Sequence, residues 1–221
     1  NADWAKGFDV VIHDECTADV KDLDVINRVL EPHRQGLPAI VLHCGMHCYR
    51  SEGFPDAVTP WFEFTGLPST GHGPQAPIDL HFLDPENAIT KGMRDWRTIN
   101  EELYNNSAGK LLDTAHALAD GKQTAVNKKG VEIKGHSIVA WTNHYRGKAK
   151  VFGTTLGHNN DTVSDARYLD LVTRGLLWSC GKLDNKYLKP VVPATPSSAA
   201  NQPGTGSAPQ PKLAAPQSPG K

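Results

Sequence analysis

The sequence lacks long apolar runs and an excess of charge of either sign. No stretch approaches the roughly 18 consecutive apolar residues of a membrane-spanning helix, so we expect no membrane insertion. The 221 residues include 23 Lys and Arg against 24 Asp and Glu, which gives a formal net charge of −1. Nucleic acids and anionic lipid surfaces favour strongly basic proteins, so this balance predicts neither as a partner.

The beginning of the chain lacks an initiator Met and a recognisable signal peptide. We therefore expect a mature product or a piece of a longer protein. The first predicted strand starts only at Phe8, after residues that resemble the end of a helix. A doubly wound domain normally opens with a strand and a Gly-rich loop, so we expect a first βα unit to be missing upstream.

The last part of the chain, residues 189–221, lacks acidic and aromatic side chains and contains 8 of the 16 prolines. Such a segment cannot bury enough apolar surface to offset the entropy of ordering it. We therefore predict a folded domain at 1–188 and a disordered Pro/Ala/Ser-rich linker at 189–221. Such a linker is typical of a tether to further domains, the alternative being a tail without a role.

The body of the chain alternates short apolar runs with helical patterns. Apolar residues recur at helical spacing over 19–33 and 165–180, which predicts two helices. Residues 46–50 resemble the start of another helix, and the Gly- and Pro-rich stretch 51–76 predicts a long loop. The predicted strands are 8–13, 38–43, 78–83, 110–119, 137–142 and 149–156. This order predicts an α/β fold, with a doubly wound, mostly parallel sheet and helices on both faces.

Polar residues follow three of the predicted buried strands. These residues are His13–Cys16, His43 with Cys44, and Leu156–His158. Ligands in open α/β sheets bind at the carboxyl ends of the strands, so we expect the three groups to share one rim. His158 at such a rim suits proton transfer near neutral pH, the alternative being a histidine that caps a loop.

The segment from His43 to Cys48 combines two histidines with two cysteines. His43 and His47 would face one ion only on a helix, but His43 ends a predicted strand and no other Cys/His cluster has ligand spacing. We therefore predict no metal and no cofactor. Cys44 lies in a tight turn where a thiolate nucleophile would be stabilised, the alternative being a small buried residue. The sequence leaves open a Cys16–Cys44 pair, a Cys44–Cys48 pair and free thiols.

Four further residues are candidates for a pocket. Glu102 and Tyr104 share a face if their segment is extended, which suits a carboxylate base beside a phenol, although a solvated turn has the same pattern. His72 lies in a Gly-rich loop. Trp141 would suit stacking on a sugar ring, while the core is the more common place for a Trp in a strand.

The order of these pieces resembles the ThuA-like family, named for trehalose utilisation. The resemblance covers most of residues 8–181. It depends on the combination of Glu101-Glu102-Leu103-Tyr104, Val139-Ala140-Trp141 and Thr155-Leu156-Gly157-His158, supported by Gly71-His72, 88–92 and 147–152. It implies a fold related to class I glutamine amidotransferases and a role in sugar metabolism, around trehalose-type disaccharides and their 3-keto forms.

We accordingly predict a small-molecule carbohydrate as the partner and acid–base roles for His43, Glu102 and His158. The residues predicted to shape the pocket are Cys44, His47, His72, Tyr104 and Trp141. The amidotransferase pattern Gly-x-Cys-x-Gly reads Leu42-His43-Cys44-Gly45-Met46 here, so we do not expect glutamine hydrolysis. Family members are often modules of larger bacterial proteins, which implies a periplasmic or secreted location, the cytoplasm being the alternative.

Two other functions fit the same residues. One is a non-catalytic sugar-binding module of a multidomain secreted protein, which would bind a sugar without turning it over. The other is a Cys-dependent hydrolase of the amidotransferase kind, in which Cys44 would react rapidly with thiol reagents. The leading prediction remains a sugar-processing enzyme.

Overall fold

The computed structural model describes residues 3–106 and 110–188, so the linker predicted at 189–221 lies outside it. The helices are α1 (Leu23–Arg34), α2 (Pro60–Thr65), α3 (Asn160–Ser164) and α4 (Ala166–Ser179). The strands are β1 (Val11–His13), β2 (Ala39–Leu42), β3 (Ala76–Phe82), β4 (Trp96–Glu101), β5 (Ala115–Val126), β6 (Glu132–Tyr145) and β7 (Ala149–Thr154). Two 3₁₀ turns cover His43–His47 and Asn185–Tyr187.

The strands form one seven-stranded sheet in the order β1-β2-β7-β6-β5-β3-β4. The pairings of β1 with β2 and of β2 with β7 are parallel, and the four other pairings of the described sheet are antiparallel. The α/β fold is therefore confirmed, but the sheet is mixed rather than mostly parallel. The reason lies in the connections: α1 carries the chain from β1 to β2, whereas short turns join β5 to β6 and β6 to β7.

Helices cover both faces of the sheet, as the sequence predicts. Ala39 and Val41 of β2 pack with Val151 of β7 in the core beneath α1 and α2. The intervening Ile40 and Phe152 point to the opposite core, beneath α4. This alternation follows from the two-residue period of a strand, and it explains why both strands read as continuous apolar runs. Within the described residues the longest helix is α4, with 14 residues, and no helix is long and apolar enough to span a bilayer.

The stretch 51–76 departs from the predicted long loop because it contains α2. Pro60 occupies the first turn of this helix, and Gly66 ends it in the left-handed region with φ of 79°. Its apolar residues are buried against the sheet, namely Trp61, Phe62 and Phe64. The helix start predicted at 46–50 is also wrong, since the 3₁₀ turn ends at His47 and Tyr49 has a φ of 49°.

The other differences concern antiparallel elements. The strand predicted at 110–119 begins instead at Ala115 and continues to Val126, because β5 pairs with β6 well beyond its apolar part. The predicted strand 137–142 is the buried centre of β6. Neither β4 nor α3 was predicted, because both are short and mostly polar.

A buried chain of side chains joins α1 to β1. The Nδ1–H of His33 donates to the carbonyl oxygen of Leu37 at 2.7 Å, which leaves its Nε2 to accept from His13 Nε2 at 3.0 Å. His13 Nδ1 lies 2.9 Å from the carboxylate of Glu15. His33 is completely buried, and this burial lowers its pKa to about 4. The folded protein therefore holds this imidazole neutral at neutral pH.

Acidification is expected to destabilise the fold through His33. Its folded-state pKa lies below the ordinary 6.5, so the unfolded chain takes up the proton first, and the stability present above pH 6.5 is lost as the pH falls towards 4. This site should cost about 2 kcal/mol of unfolding free energy between pH 7 and pH 5. Urea unfolding at both pH values measures the change in unfolding free energy. His33→Gln should reduce this change, whereas His81→Gln, at an exposed position, should not. The same change in the wild type and in both variants would contradict the assignment to His33.

Candidate functional site

The carboxyl ends of β1, β2 and β7 lie side by side because these strands are parallel neighbours. At the end of β2 the chain turns sharply at His43, whose φ of 37° lies in the left-handed region. A side chain at Gly45 would place its Cβ 2.4 Å from the carbonyl oxygen of His13, so only glycine allows this close approach to β1. His158 follows β7, and its ring centroid lies 5.4 Å from that of His43. The ends of β2 and β7 therefore bring His43 and His158 together at the predicted rim, whereas the ring of His13 packs in the core against Trp61 and Phe64.

Residues 102–106 reach the same rim from β4, the strand at the opposite edge of the sheet. After β4 they pass β6, where Asn106 makes hydrogen bonds to both the N–H and the carbonyl of Ile138. Tyr104 pairs with His72 through an isolated antiparallel bridge. The side chain of Asn105 accepts from the N–H groups of Thr70 and Gly71 and so fixes this loop. These contacts bring Glu102 and His72 to the ends of β2 and β7.

Three imidazoles converge on one carboxylate oxygen. Oε2 of Glu102 lies 3.5 Å from Nε2 of His43, 3.5 Å from Nε2 of His72 and 3.2 Å from Nδ1 of His158. We call these four residues, His43, His72, Glu102 and His158, the Glu102 cluster. The side chains of His43 and Glu102 are each 9% exposed, whereas those of His72 and His158 are 41% and 31% exposed. The cluster therefore has a buried side, formed by His43 and Glu102, and a more exposed side, formed by His72 and His158.

Burial controls the protonation of the innermost imidazole. Desolvation lowers the pKa of His43, and the negative charges of Glu102 and Glu101 only partly oppose this effect. His43 Nε2 is buried and has no hydrogen-bond partner among the residues that the structure describes. An unpaired buried nitrogen is costly, so its retention points to a function.

Two polar residues hold the half-exposed part of the cluster. The side-chain amide of Gln75 lies 2.6 Å from His158 Nε2 and 3.4 Å from Glu102 Oε1. The carboxylate of Glu101 is completely buried and accepts from the N–H groups of His158 and Asn159, at 3.2 and 3.5 Å. Glu101 thus fixes the turn that carries His158.

Glu101→Ala is expected to lower the free energy of unfolding by about 1–3 kcal/mol, because it leaves two backbone N–H groups without their acceptor. Glu101→Gln should recover part of this loss, since its amide oxygen can still accept. Urea unfolding is the measurement, and Glu132→Ala at an exposed position is the control. Equal stability of the Glu101→Ala and Glu132→Ala variants would remove the positioning role of Glu101.

The remaining predicted pocket residues form a layer behind the cluster. Tyr104 is buried and stacks on His47 with ring centroids 4.1 Å apart, and His47 Nε2 bonds to the hydroxyl of Ser69 at 2.9 Å. Burial lowers the pKa of His47 to about 3, so its ring is neutral. Burial also raises the pKa of Tyr104, and the neighbouring Cys44 raises it further.

Cys44 lies in this layer as a thiol rather than a thiolate. Burial, together with its hydrogen bond to Cys16, raises its pKa to about 12. Both residues are free cysteines, as is Cys48, whose thiol donates to the carbonyl of Glu15 at 2.8 Å. These features disfavour Cys44 as an activated nucleophile.

Trp141 does not join the pocket residues. It is completely buried in the core beneath α1 and α2, and its Nε1–H donates to the carbonyl oxygen of Thr65 at 2.7 Å. A strand residue reaches only one face, and at this position of β6 that face is covered by α2. Stacking on a sugar is therefore excluded for Trp141 in this structure.

Sequence reasoning missed the supporting residues Gln75, Glu101 and Asn105. Gln75 lies in a Gly- and Pro-rich stretch without any pattern that would single it out. Glu101 stands within the motif that includes Glu102. The two-residue period puts these neighbouring carboxylates on opposite faces, and the pattern assigned only Glu102 to the pocket. The loop contacts of Asn105 depend on the bridge between His72 and Tyr104, which no local signal predicts.

The arrangement defines an α/β domain with a cluster of three histidines and a glutamate at the ends of its parallel strands. Comparison with protein families gives the class a name. The family model described as ThuA, trehalose utilisation, matches residues 3–179, and the chain belongs to this family. Membership implies a function related to carbohydrate utilisation. No curated protein matches the chain.

Solved structures support the fold. A protein described as ThuA-like from Parabacteroides merdae ATCC 43184 matches with a TM-score of 0.58 and 20% identity, covering 81% of this chain and 73% of that one. A ThuA-like protein from Bacteroides uniformis ATCC 8492 matches with a TM-score of 0.60 and 15% identity, covering 85% and 76%. A protein described as a GMP synthase subunit, from Thermoplasma acidophilum, is more distant, with a TM-score of 0.44, 13% identity and coverage of 81% and 76%.

Proposed function

We propose that this chain binds a carbohydrate, of the trehalose type or its 3-keto form, at the Glu102 cluster and transfers protons on it. The observation that carries the proposal is the convergence of three imidazoles on one oxygen of Glu102 at the strand ends. Membership in the trehalose-utilisation family supports the choice of sugar.

The chemistry follows from the substrate class. A keto-sugar has C–H bonds next to a carbonyl, and their exchange needs a base near the carbon and a proton donor near the oxygen. In the proposed mechanism Glu102 and His158 serve as this pair. Their Oε2 and Nδ1 atoms lie 3.2 Å apart, and His158 is the more exposed of the two. His43 contacts the same oxygen from the buried side and completes the acid–base set.

A groove that reaches the loop carrying His72 offers room for sugar rings, although none of the four cluster residues lines it. Its volume is about 750 Å³, and it lies between the segments around Lys21, Arg50–Pro55 and Thr70. Thr70 belongs to the loop that carries His72. The guanidinium of Arg50 also donates to the carbonyl of Ser69, the hydrogen-bond partner of His47. Hydroxyl-rich ligands need such polar groups beside an open surface.

Thermal unfolding in the presence of candidate ligands tests the proposal. Trehalose or 3-keto-trehalose should raise the midpoint, since a ligand at 100 times its Kd stabilises the folded state by about 2.7 kcal/mol, and glutamine should not. A non-catalytic binding module would bind the sugar without turnover and retain binding in Glu102→Gln. A shift with glutamine alone, together with rapid alkylation of Cys44, would overturn the proposal in favour of a Cys-dependent hydrolase.

A further inference from the structure

The innermost donor atoms of the Glu102 cluster form a set that suits a metal ion. Nε2 of His43, Oε2 of Glu102 and Nδ1 of His158 all lie within 4.8 Å of one another. Two imidazole nitrogens and one carboxylate oxygen are common ligands of divalent transition metals. We propose that these three atoms bind one divalent transition-metal ion of the Zn²⁺ type, which revises the expectation from sequence that the chain has no metal site.

The distances agree with a shared ion. Ligands about 2.1 Å from a tetrahedral ion lie about 3.4 Å from each other. Glu102 Oε2 lies 3.5 Å from His43 Nε2 and 3.2 Å from His158 Nδ1. The contact to His43 is longer than a good hydrogen bond, whereas it has the length expected for two ligands of the same ion.

The unpaired nitrogen of His43 is an independent indication. Its side chain is only 9% exposed and aims Nε2 at Glu102, yet this nitrogen makes no hydrogen bond within residues 3–106 and 110–188. The backbone at His43 is also in the sparsely populated left-handed region, which costs free energy for a residue other than glycine. A bound ion would use the nitrogen's lone pair and explain why the fold retains this geometry.

The surroundings resemble the supporting contacts of metal sites. Glu101 fixes the backbone at His158. The ligands come from the ends of β2, β4 and β7, so the fold positions the site before any ion binds.

Three protein ligands leave a coordination position free. His72 lies on the more exposed side of the cluster, where its Nε2 is 3.5 Å from Glu102 Oε2 and its side chain is 41% exposed. An open fourth position is the pattern of catalytic rather than structural metal sites. An ion there would polarise an oxygen of a bound sugar, and the acid–base roles proposed above are those of the metal-free chain. The metal site rests on geometry alone and does not depend on the sugar.

Titration of the chelator-treated full chain with Zn²⁺, and separately with Co²⁺, tests the site. Calorimetry should give one ion per chain, and Co²⁺ should develop the visible absorption of a tetrahedral site. Glu102→Gln and His158→Gln should each weaken Zn²⁺ binding by at least about 100-fold, because even second-shell contacts are worth roughly 10–100-fold. The matched control is the double variant His81→Gln, His136→Gln, which removes two exposed histidines beside Asp120 and should bind as the wild type does.

Three results would overturn the site: no stoichiometric ion in the wild type, unchanged affinity in both cluster variants, or loss of binding in the control. His158 is half-exposed, so its variant should fold, and the melting temperature of each metal-free variant verifies this. Sugar binding by the metal-free chain is measured alongside. A chain that binds the sugar but no ion refutes the metal site and leaves the proposed function standing.

Discussion

Glu102→Gln is expected to reduce turnover of 3-keto-trehalose by at least about 100-fold, the lower end of what general acid–base catalysis contributes. The carboxylate is the common partner of His43, His72 and His158, so its neutralisation removes the one group that all three imidazoles contact. The amide has nearly the same shape, so the fold should persist. The measurement is kcat with the keto-sugar at saturating concentration.

The control for this experiment is Glu86→Gln, which neutralises a carboxylate that is 85% exposed and pairs with Lys91 rather than with the cluster. It should leave turnover unchanged. Normal activity in the double variant Glu102→Gln, His158→Ala would refute the assigned acid–base roles. The double variant is informative because neither residue can then substitute for the other.

Trp141→Ala is expected to cost about 3–5 kcal/mol of unfolding free energy, the range for removing a fully buried aromatic side chain. The indole ring fills the space above Gly153, where a Cβ would lie 2.4 Å from the ring, and its removal opens a cavity in the core. It also leaves the carbonyl oxygen of Thr65 without its donor. Urea unfolding at neutral pH measures the loss.

Trp96→Ala is the matched control, because Trp96 is a strand tryptophan that is only half-buried. It should cost less than half as much. If Trp141→Ala unfolded like the wild type but lost sugar binding, the ring would serve the ligand and its structural role would be refuted.

The rim of the sheet was predictable because its cause is local. Short apolar runs followed by polar residues identify strands buried on both faces, and parallel strands must end at one edge. That argument places His43 and His158 together without any knowledge of the strand order. The two-residue period of an extended segment made Glu102 and Tyr104 candidates, the family resemblance supported both, and the structure brings both to the rim.

The partners of these residues were not predictable because they depend on long-range contacts. Glu102 reaches His43 only because residues 102–106 cross the sheet and Asn106 pairs with Ile138 of β6. The sheet order that makes β4 an edge strand has no signature in a short polar stretch. Trp141 lies in the core, which is the more common place for a strand tryptophan. Its apolar body and polar N–H also suit a sugar platform, so the sequence alone left both alternatives open.

The central claim is that the sugar binds at the Glu102 cluster, and side-chain NMR of the histidines tests it directly. Addition of 3-keto-trehalose to the full chain should shift the imidazole signals of His43, His72 and His158. The signals of the exposed histidines on β3, β5 and β6, which are His81, His116 and His136, should stay in place. Shifts confined to those three, or none in the cluster at saturating sugar, would contradict the claim.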